Sequence, residues 1–406
     1  MALVPVTLSA REIDLADKGF SNAILWRLHH EVLTPPIYRG EFWHAYSQVN
    51  RRFADVTANV AAAEATVWVH DYQLQLMPAM LRELRPDVRI GFFLHVPFPA
   101  PGTFDGMPRP WQESIVRGLL GADLIGFQTP RDASNFEELC HDVLGIRVQG
   151  QACLADRVVR IGVFPVSVDF AELSVLAGRE EARTRAREIR ARVGESAKLL
   201  LAVDRLDYAK GIPQRLEALD ELFESGDIEQ GEVVLVQVAS PSSERVEMYE
   251  DLVREVEQKI GHINGEYGQI GAPAVHYVHR NVPRDELVAL YLAADVMVAT
   301  PLRDGMNLAC KEYVTCHDTP GGALVLSEFA GAAEELRDGA FLVNPHDIDG
   351  IKAGLLDAIH GDPVKLDQRI AMMRDTVRNN DAERWAQRFV TMLETSGSNS
   401  LHEHLL

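Results

Sequence analysis

The chain has 406 residues, of which 47% are hydrophobic and 25% charged, and its net charge is −20. That length makes two to four domains at roughly 100–200 residues each. The acidic balance excludes a phosphate-tracking nucleic-acid binder, which needs a basic face. Any site for an anionic ligand must therefore be a local basic island. No apolar run reaches the roughly 18 residues of a membrane span. The N-terminus lacks the basic region and long apolar core of a signal peptide. Cys140, Cys153, Cys310 and Cys316 are scattered and form no CxxC pair, which argues against a disulfide framework and for a reducing cytoplasm.

The chain opens on Val4–Leu8, and Ser9-Ala-Arg-Glu12 reads as a helix capping box. Apolar, β-branched runs then alternate with stretches of helical length. In the first half the expected strands are Thr66–Val69, Ile90–Leu94, Leu124–Phe127 and Val158–Phe164. In the second half they are Lys198–Val203, Val233–Val238, Val275–Val278, Val296–Ala299 and Ala323–Leu326. Runs apolar throughout suit parallel strands buried on both faces, and their alternation with helices predicts α/β domains with doubly wound sheets. A charged helix, about Ala171 to Val193, ends at Gly194-Glu-Ser-Ala197, and the domain boundary is expected there. The N-terminal domain is then 1–195 with a returning C-terminal helix, 381–406, and the second domain is 196–380. Two such domains suggest a cleft, with ligands at the carboxyl ends of the strands.

Four segments carry polar chemistry at strand ends. Thr300-Pro-Leu-Arg-Asp-Gly-Met-Asn-Leu308 leaves a buried strand, turns on Asp304-Gly305 and enters a helix. Amides of Gly305, Met306, Asn307 and Leu308 would add to the positive helix end, a site for a diphosphate. Glu312, about one turn on, could accept from sugar hydroxyls. An ordinary strand–turn–helix capped by Asp304 would read the same way. Asp204-Arg205-Leu-Asp207-Tyr-Ala-Lys210-Gly211 places two cations across a turn, suited to an anionic leaving group or to plain salt bridges with Asp204 or Asp207. Val67-Trp-Val-His70-Asp71-Tyr72 and Phe92-Phe-Leu-His95-Val-Pro97 end strands in polar residues, and two such ends in one domain favour a site over isolated structural histidines. His262 and His276 lack that context. No nucleophile elbow, HExxH or P-loop is present.

Together these segments resemble the trehalose-6-phosphate synthases, retaining glucosyltransferases of the GT-B fold in glycosyltransferase family 20. The matching motifs are HDYQL (His70–Leu74), FFLHVPFP (Phe92–Pro99), DRLDYAKG (Asp204–Gly211), GHINGEYG (Gly261–Gly268), TPLRDGMNL (Thr300–Leu308) and SEFAGAAEEL (Ser327–Leu336). Phe20–Trp26 and the helix carrying Trp385 also fit. The resemblance implies two Rossmann-like domains closing over a nucleotide-activated glucose, with UDP-glucose or GDP-glucose as co-substrate. It implies that Arg205, Lys210 and the amides of Gly305–Leu308 hold the diphosphate. Glu312 would bind the ribose, and backbone near Val282 and Pro283 would meet the base. Asp304 and His95 would hold the glucose. Asp71, Tyr72 and Trp26 would meet the acceptor. Transfer would proceed with retention by front-face substitution, with Arg205 and Lys210 in place of a metal, so no metal and no cofactor are expected. The partners are a nucleotide sugar and a small polyhydroxylated acceptor; a homo-oligomer is allowed.

Three family features that recognise glucose 6-phosphate are absent. The chain starts beyond the family's first strand and Gly-Gly loop, so its first domain is expected to lack those leading strands. Asp17 stands where the family has a Tyr, and Ser243 where it has an Arg. A phosphate dianion needs cationic or strong N–H donors. The expected acceptor therefore lacks a phosphate. The alternatives are an authentic trehalose-6-phosphate synthase, a pseudo-glycosyltransferase coupling cyclitols, and an inactive binding homologue.

Overall fold

Each apolar run forms a strand in the computed structural model, which describes residues 2–32, 36–194, 196–241, 247–317 and 321–396. The strands are β1 (Thr66–His70), β2 (Arg89–Phe93), β3 (Leu124–Phe127), β4 (Gln151–Cys153), β5 (Val158–Val163), β6 (Lys198–Arg205), β7 (Val233–Ser240), β8 (Val275–Val278), β9 (Val296–Ala299), β10 (Ala323–Ser327) and β11 (Phe341–Val343). The short strands β4 and β11 add to those expected from sequence.

The chain divides into two compact units, one of Met1–Val166 with Trp385–Leu406 and one of Ser167–Arg384. The division falls before the charged helices rather than after them. Helices Phe170–Gly178 and Glu180–Val193 belong to the second unit. Their charge has partners there: Arg185 bonds both carboxylate oxygens of Glu286 at 2.8 Å, and Arg190 meets Asp295 at 2.8 Å. The charged helix expected to close the first domain is thus part of the second unit.

In the first unit the sheet order is β1-β2-β3-β5-β4, parallel except for the β4–β5 pair. Gly91 and Gly126 stand within buried strands of this sheet and explain how the last helix, Ala382–Ser396, docks. A Cβ at Gly91 would lie 2.6 Å from the Phe389 ring, and one at Gly126 would lie 2.7 Å from it. Phe389 stacks on Trp68 at 4.3 Å, and the Trp385 indole N–H donates to the Phe164 carbonyl at 3.1 Å.

In the second unit the order is β11-β10-β9-β6-β7-β8, all parallel. Counted within the unit, this is the 3-2-1-4-5-6 order of dinucleotide-binding sheets. Its edge is held by Asn264 of the GHINGEYG motif, whose amide exchanges hydrogen bonds with both backbone groups of Val275 at 2.8 and 3.0 Å. That motif is structural in this fold.

Candidate functional site

The order of the second sheet reverses between β6 and β9, and ligands of such sheets bind at that reversal, outside the carboxyl ends. The β6 end carries Arg205 and Lys210, and the β9 end carries Asp304. The two loops are locked together. The Leu302 amide donates to the Ala209 carbonyl at 2.7 Å. Gly211 has φ +62°, and a Cβ there would lie 2.1 Å from the Thr300 carbonyl oxygen, so no other residue fits. Beneath both loops lies Arg215, only 1% exposed. Its guanidinium donates to Asp204 and Gln237 at 2.9 Å, to Thr300 Oγ1 at 3.1 Å and to the Lys210 carbonyl at 3.2 Å. A buried charge is tolerable only when paired and hydrogen-bonded in this way.

Lys210 and Asp304 face each other, Nζ to Oδ2, at 2.5 Å. Burial opposes the Lys210 charge, yet Asp304, with Asp207 and Asp204, holds its ammonium above the usual lysine range. Burial pushes the Asp207 carboxyl up. Arg205 is exposed and only 3.8 Å from Asp207, so the two cations differ: one is committed, one loosely held.

The loop after β9 is braced by a third segment. Asp304 N–H donates to Phe329 O at 3.2 Å, while Gly331 and Ala332 amides donate to Asp304 and Met306 carbonyls at 3.1 and 2.8 Å. A Cβ at Gly331 would lie 1.9 Å from the Gly305 oxygen. Asn307 adopts φ 74° and caps helix Leu308–Cys316, its Oδ1 accepting from the Cys310 amide at 3.2 Å. The amide of Leu308, the first residue of that helix, has no intrahelical partner. Glu312 accepts from the Tyr291 hydroxyl at 2.8 Å. Val282 lies half-buried just before helix Arg284–Ala293.

The first unit builds a second cluster at the ends of β1 and β2. Asp71 has φ 73° and ψ 170°, a region nearly reserved for glycine. Holding a non-glycine residue there costs of order 1–3 kcal/mol, and such strain concentrates at functional sites. Its amide donates to Phe93 O at 2.8 Å, and its Oδ1 accepts from the His95 amide at 3.2 Å. Burial raises the Asp71 carboxyl, opposed by backbone N–H donors at Tyr72, His95 and Val96. His70 Nδ1 lies 3.0 Å from His95 Nε2. Desolvation lowers the pKa of both rings, His70 to about 4.

Tyr72 is buried, and its hydroxyl donates to Asn22 at 2.8 Å. Asn22 belongs to a π-helix, Ile13–Trp26, that also carries Asp17 and Trp26. Runs of this type are rare and appear at functional sites. Trp26 stacks on His30 at 4.1 Å. Asp17 is half-buried, and desolvation raises its carboxyl. Ser243 lies outside the described residues. Within each unit the structure brings some of the expected residues together: Lys210 with Asp304, and Asp71 with His95. It pairs His70, one of the two strand-end histidines expected from sequence, with His95, and it adds Asn22, Arg215 and Tyr291, which sequence reading did not single out. Asn22 lay within the matching segment Phe20–Trp26; Arg215 and Tyr291 gave no signal.

A nucleotide-type sheet with cationic and amide donors at its reversal, joined in one chain to a parallel-sheet unit with polar strand ends, defines the GT-B class of glycosyltransferases. Residues 1–395 match glycosyltransferase family 20. The chain is 52% identical to a trehalose-6-phosphate synthase of Mycobacterium avium, over 98% of this chain and 82% of that one. It is 51% identical to that of Mycolicibacterium smegmatis, over 98% and 80%. Among solved structures, a UDP-forming trehalose-phosphate synthase from Burkholderia xenovorans in complex with glucose-6-phosphate superposes at TM-score 0.90, with 35% identity, over 95% of this chain and 85% of that one. The E. coli protein bound with UDP-2-fluoro glucose gives 0.89 and 33%, over 95% and 86%. The chain belongs to glycosyltransferase family 20. It is a retaining, nucleotide-sugar-dependent hexosyltransferase. No described helix is long and apolar enough to cross a membrane.

Proposed function

We propose that this chain moves glucose from a nucleoside-diphosphate glucose to the anomeric hydroxyl of glucose 6-phosphate. The observation that carries the reading is the locked pair of loops at the sheet reversal, which holds the Arg205–Lys210 turn against the turn that leads into Gly305–Leu308. The acceptor expected from sequence alone, one without a phosphate, has less support than its phosphorylated alternative. The relatives at about half identity are trehalose-6-phosphate synthases, and one structural neighbour is in complex with glucose-6-phosphate.

In this reading Arg205 and Lys210 stabilise the departing diphosphate, and Glu312 holds the ribose. Asp304 and His95 bind the glucose, and Asp71, Tyr72 and Trp26 meet the acceptor. The acceptor hydroxyl approaches the face the nucleotide leaves, and a departing phosphate oxygen takes its proton. Positioning and charge stabilisation then supply the catalysis.

One observation favours a second reading. Asp17 puts a carboxylate where the resemblance expects a Tyr, and Ser243 replaces an Arg. Both changes weaken a phosphate site and suit an unphosphorylated sugar or polyol. Turnover with glucose 6-phosphate, glucose and cyclitols, each with UDP-glucose and GDP-glucose, separates the readings. Glucose 6-phosphate giving the highest kcat/KM supports the first. Turnover confined to unphosphorylated acceptors overturns it in favour of the second.

A further inference from the structure

We infer that His70 is a positioning residue for His95: it fixes which face and which tautomer of the His95 ring meet the sugar. This rests on the reading of His95 as a sugar-binding residue.

His95 has little backbone freedom. Its N–H donates to Asp71 at 3.2 Å, and its carbonyl accepts from the Gln128 amide at 3.3 Å. Its ring is walled by the Phe93 ring, edge-on at 4.8 Å, and by Trp385 at 6.1 Å. These apolar walls set the plane of the ring. They do not distinguish one face from its half-turn flip, because an aromatic wall accepts nitrogen or carbon.

The contact with His70 makes that distinction. Nδ1 of His70 and Nε2 of His95 are 3.0 Å apart. Flipping His95 would put a carbon there and break the hydrogen bond. The contact also couples the protons. One nitrogen must carry hydrogen and the other a lone pair, so choosing the tautomer of one ring chooses that of the other. His70 is itself placed by the register of β1 against β2, where it pairs with Phe93, and by the Trp68 ring at 4.7 Å. Desolvation lowers the pKa of both rings, which favours the neutral forms between which the proton positions are coupled. With Nε2 committed to His70, Nδ1 of His95 is the ring nitrogen left to meet a sugar hydroxyl, its protonation coupled to that of His70 Nδ1.

The test compares His70→Gln, His70→Leu and His95→Phe in the full chain. Glutamine can donate or accept across the same gap, whereas leucine fills it without a hydrogen bond. Kinetics with UDP-glucose or GDP-glucose, whichever turns over, are read beside the nitrogen shifts of 15N-histidine, which report the tautomer. H70L should lose about two- to twelvefold in kcat/KM, the scale of one hydrogen bond. Its His95 signals should move to tautomer-averaged values. H70Q should keep most activity, because its amide holds Nε2 of His95 in place whichever tautomer the ring adopts. H70L with wild-type rate and an unaveraged His95 overturns the proposal, as does H70Q falling as far as H70L. His95→Phe separates the two levels. Its loss of transfer beside an unaffected H70L removes only the role of His70. Full transfer in His95→Phe removes the sugar-binding reading beneath it.

Discussion

The ammonium that a diphosphate would claim is already neutralised in this structure, because Lys210 and Asp304 lie 2.5 Å apart and nearly buried. Binding a donor there would redistribute that charge, while exposed Arg205, held only loosely by Asp207 at 3.8 Å, takes an anion at lower cost. This asymmetry gives opposite expectations for two neighbouring substitutions. Lys210→Ala removes a cation from the leaving group and should cost about 2–4 kcal/mol of transition-state stabilisation, by analogy with the loss of one oxyanion donor. Asp304→Asn frees the ammonium. It should tighten binding of the nucleoside diphosphate product in calorimetry, while kcat falls because the glucose loses its carboxylate. If both variants weaken the diphosphate equally, the pair acts as a single structural unit, and the assignment of Lys210 to the leaving group is wrong.

At the scale of elements, the last helix binds a sheet that sequence places far from it. Gly91 and Gly126 read as unremarkable members of apolar strands. Their purpose appears only with Phe389 lying over them. Phe389→Ala should destabilise the first unit by about 3–5 kcal/mol, the range for removing a buried aromatic ring. Denaturant melts followed by Trp68 and Trp385 fluorescence would report it, and a loss below about 1 kcal/mol would mean that the helix is held by other contacts. The long strands were legible because parallel, doubly covered strands are apolar throughout. β4 and β11 were not, since each spans three residues and is partly exposed. The π-helix was not legible either: its sequence opens on an ordinary capping box, and a wider helix is set by tertiary packing rather than by that signal. Site residues were legible where loop motifs carried them. Arg215 was not, because Thr300, one of its partners, is 85 positions away in sequence.

For the whole molecule, the −20 charge bears on encounter rather than on fold. Composition argued against a nucleic-acid partner and predicted a local basic island; the residues proposed for it are one exposed arginine and one paired lysine. A nucleoside-diphosphate sugar is an anion, so it approaches against the long-range field of the body. Near the loop after β6, Arg205 offers it local attraction. The Debye length shrinks from about 30 Å at 0.01 M salt to about 10 Å at 0.1 M. Salt therefore removes the distant repulsion first and spares the close, partly buried contacts. The association rate of the nucleotide, measured by stopped flow, should rise over this range, while kcat at saturating donor stays constant. An enzyme steered by a basic mouth would do the reverse. A falling association rate would show that Arg205 governs the encounter at long range, and Arg205→Ala should then abolish the salt dependence.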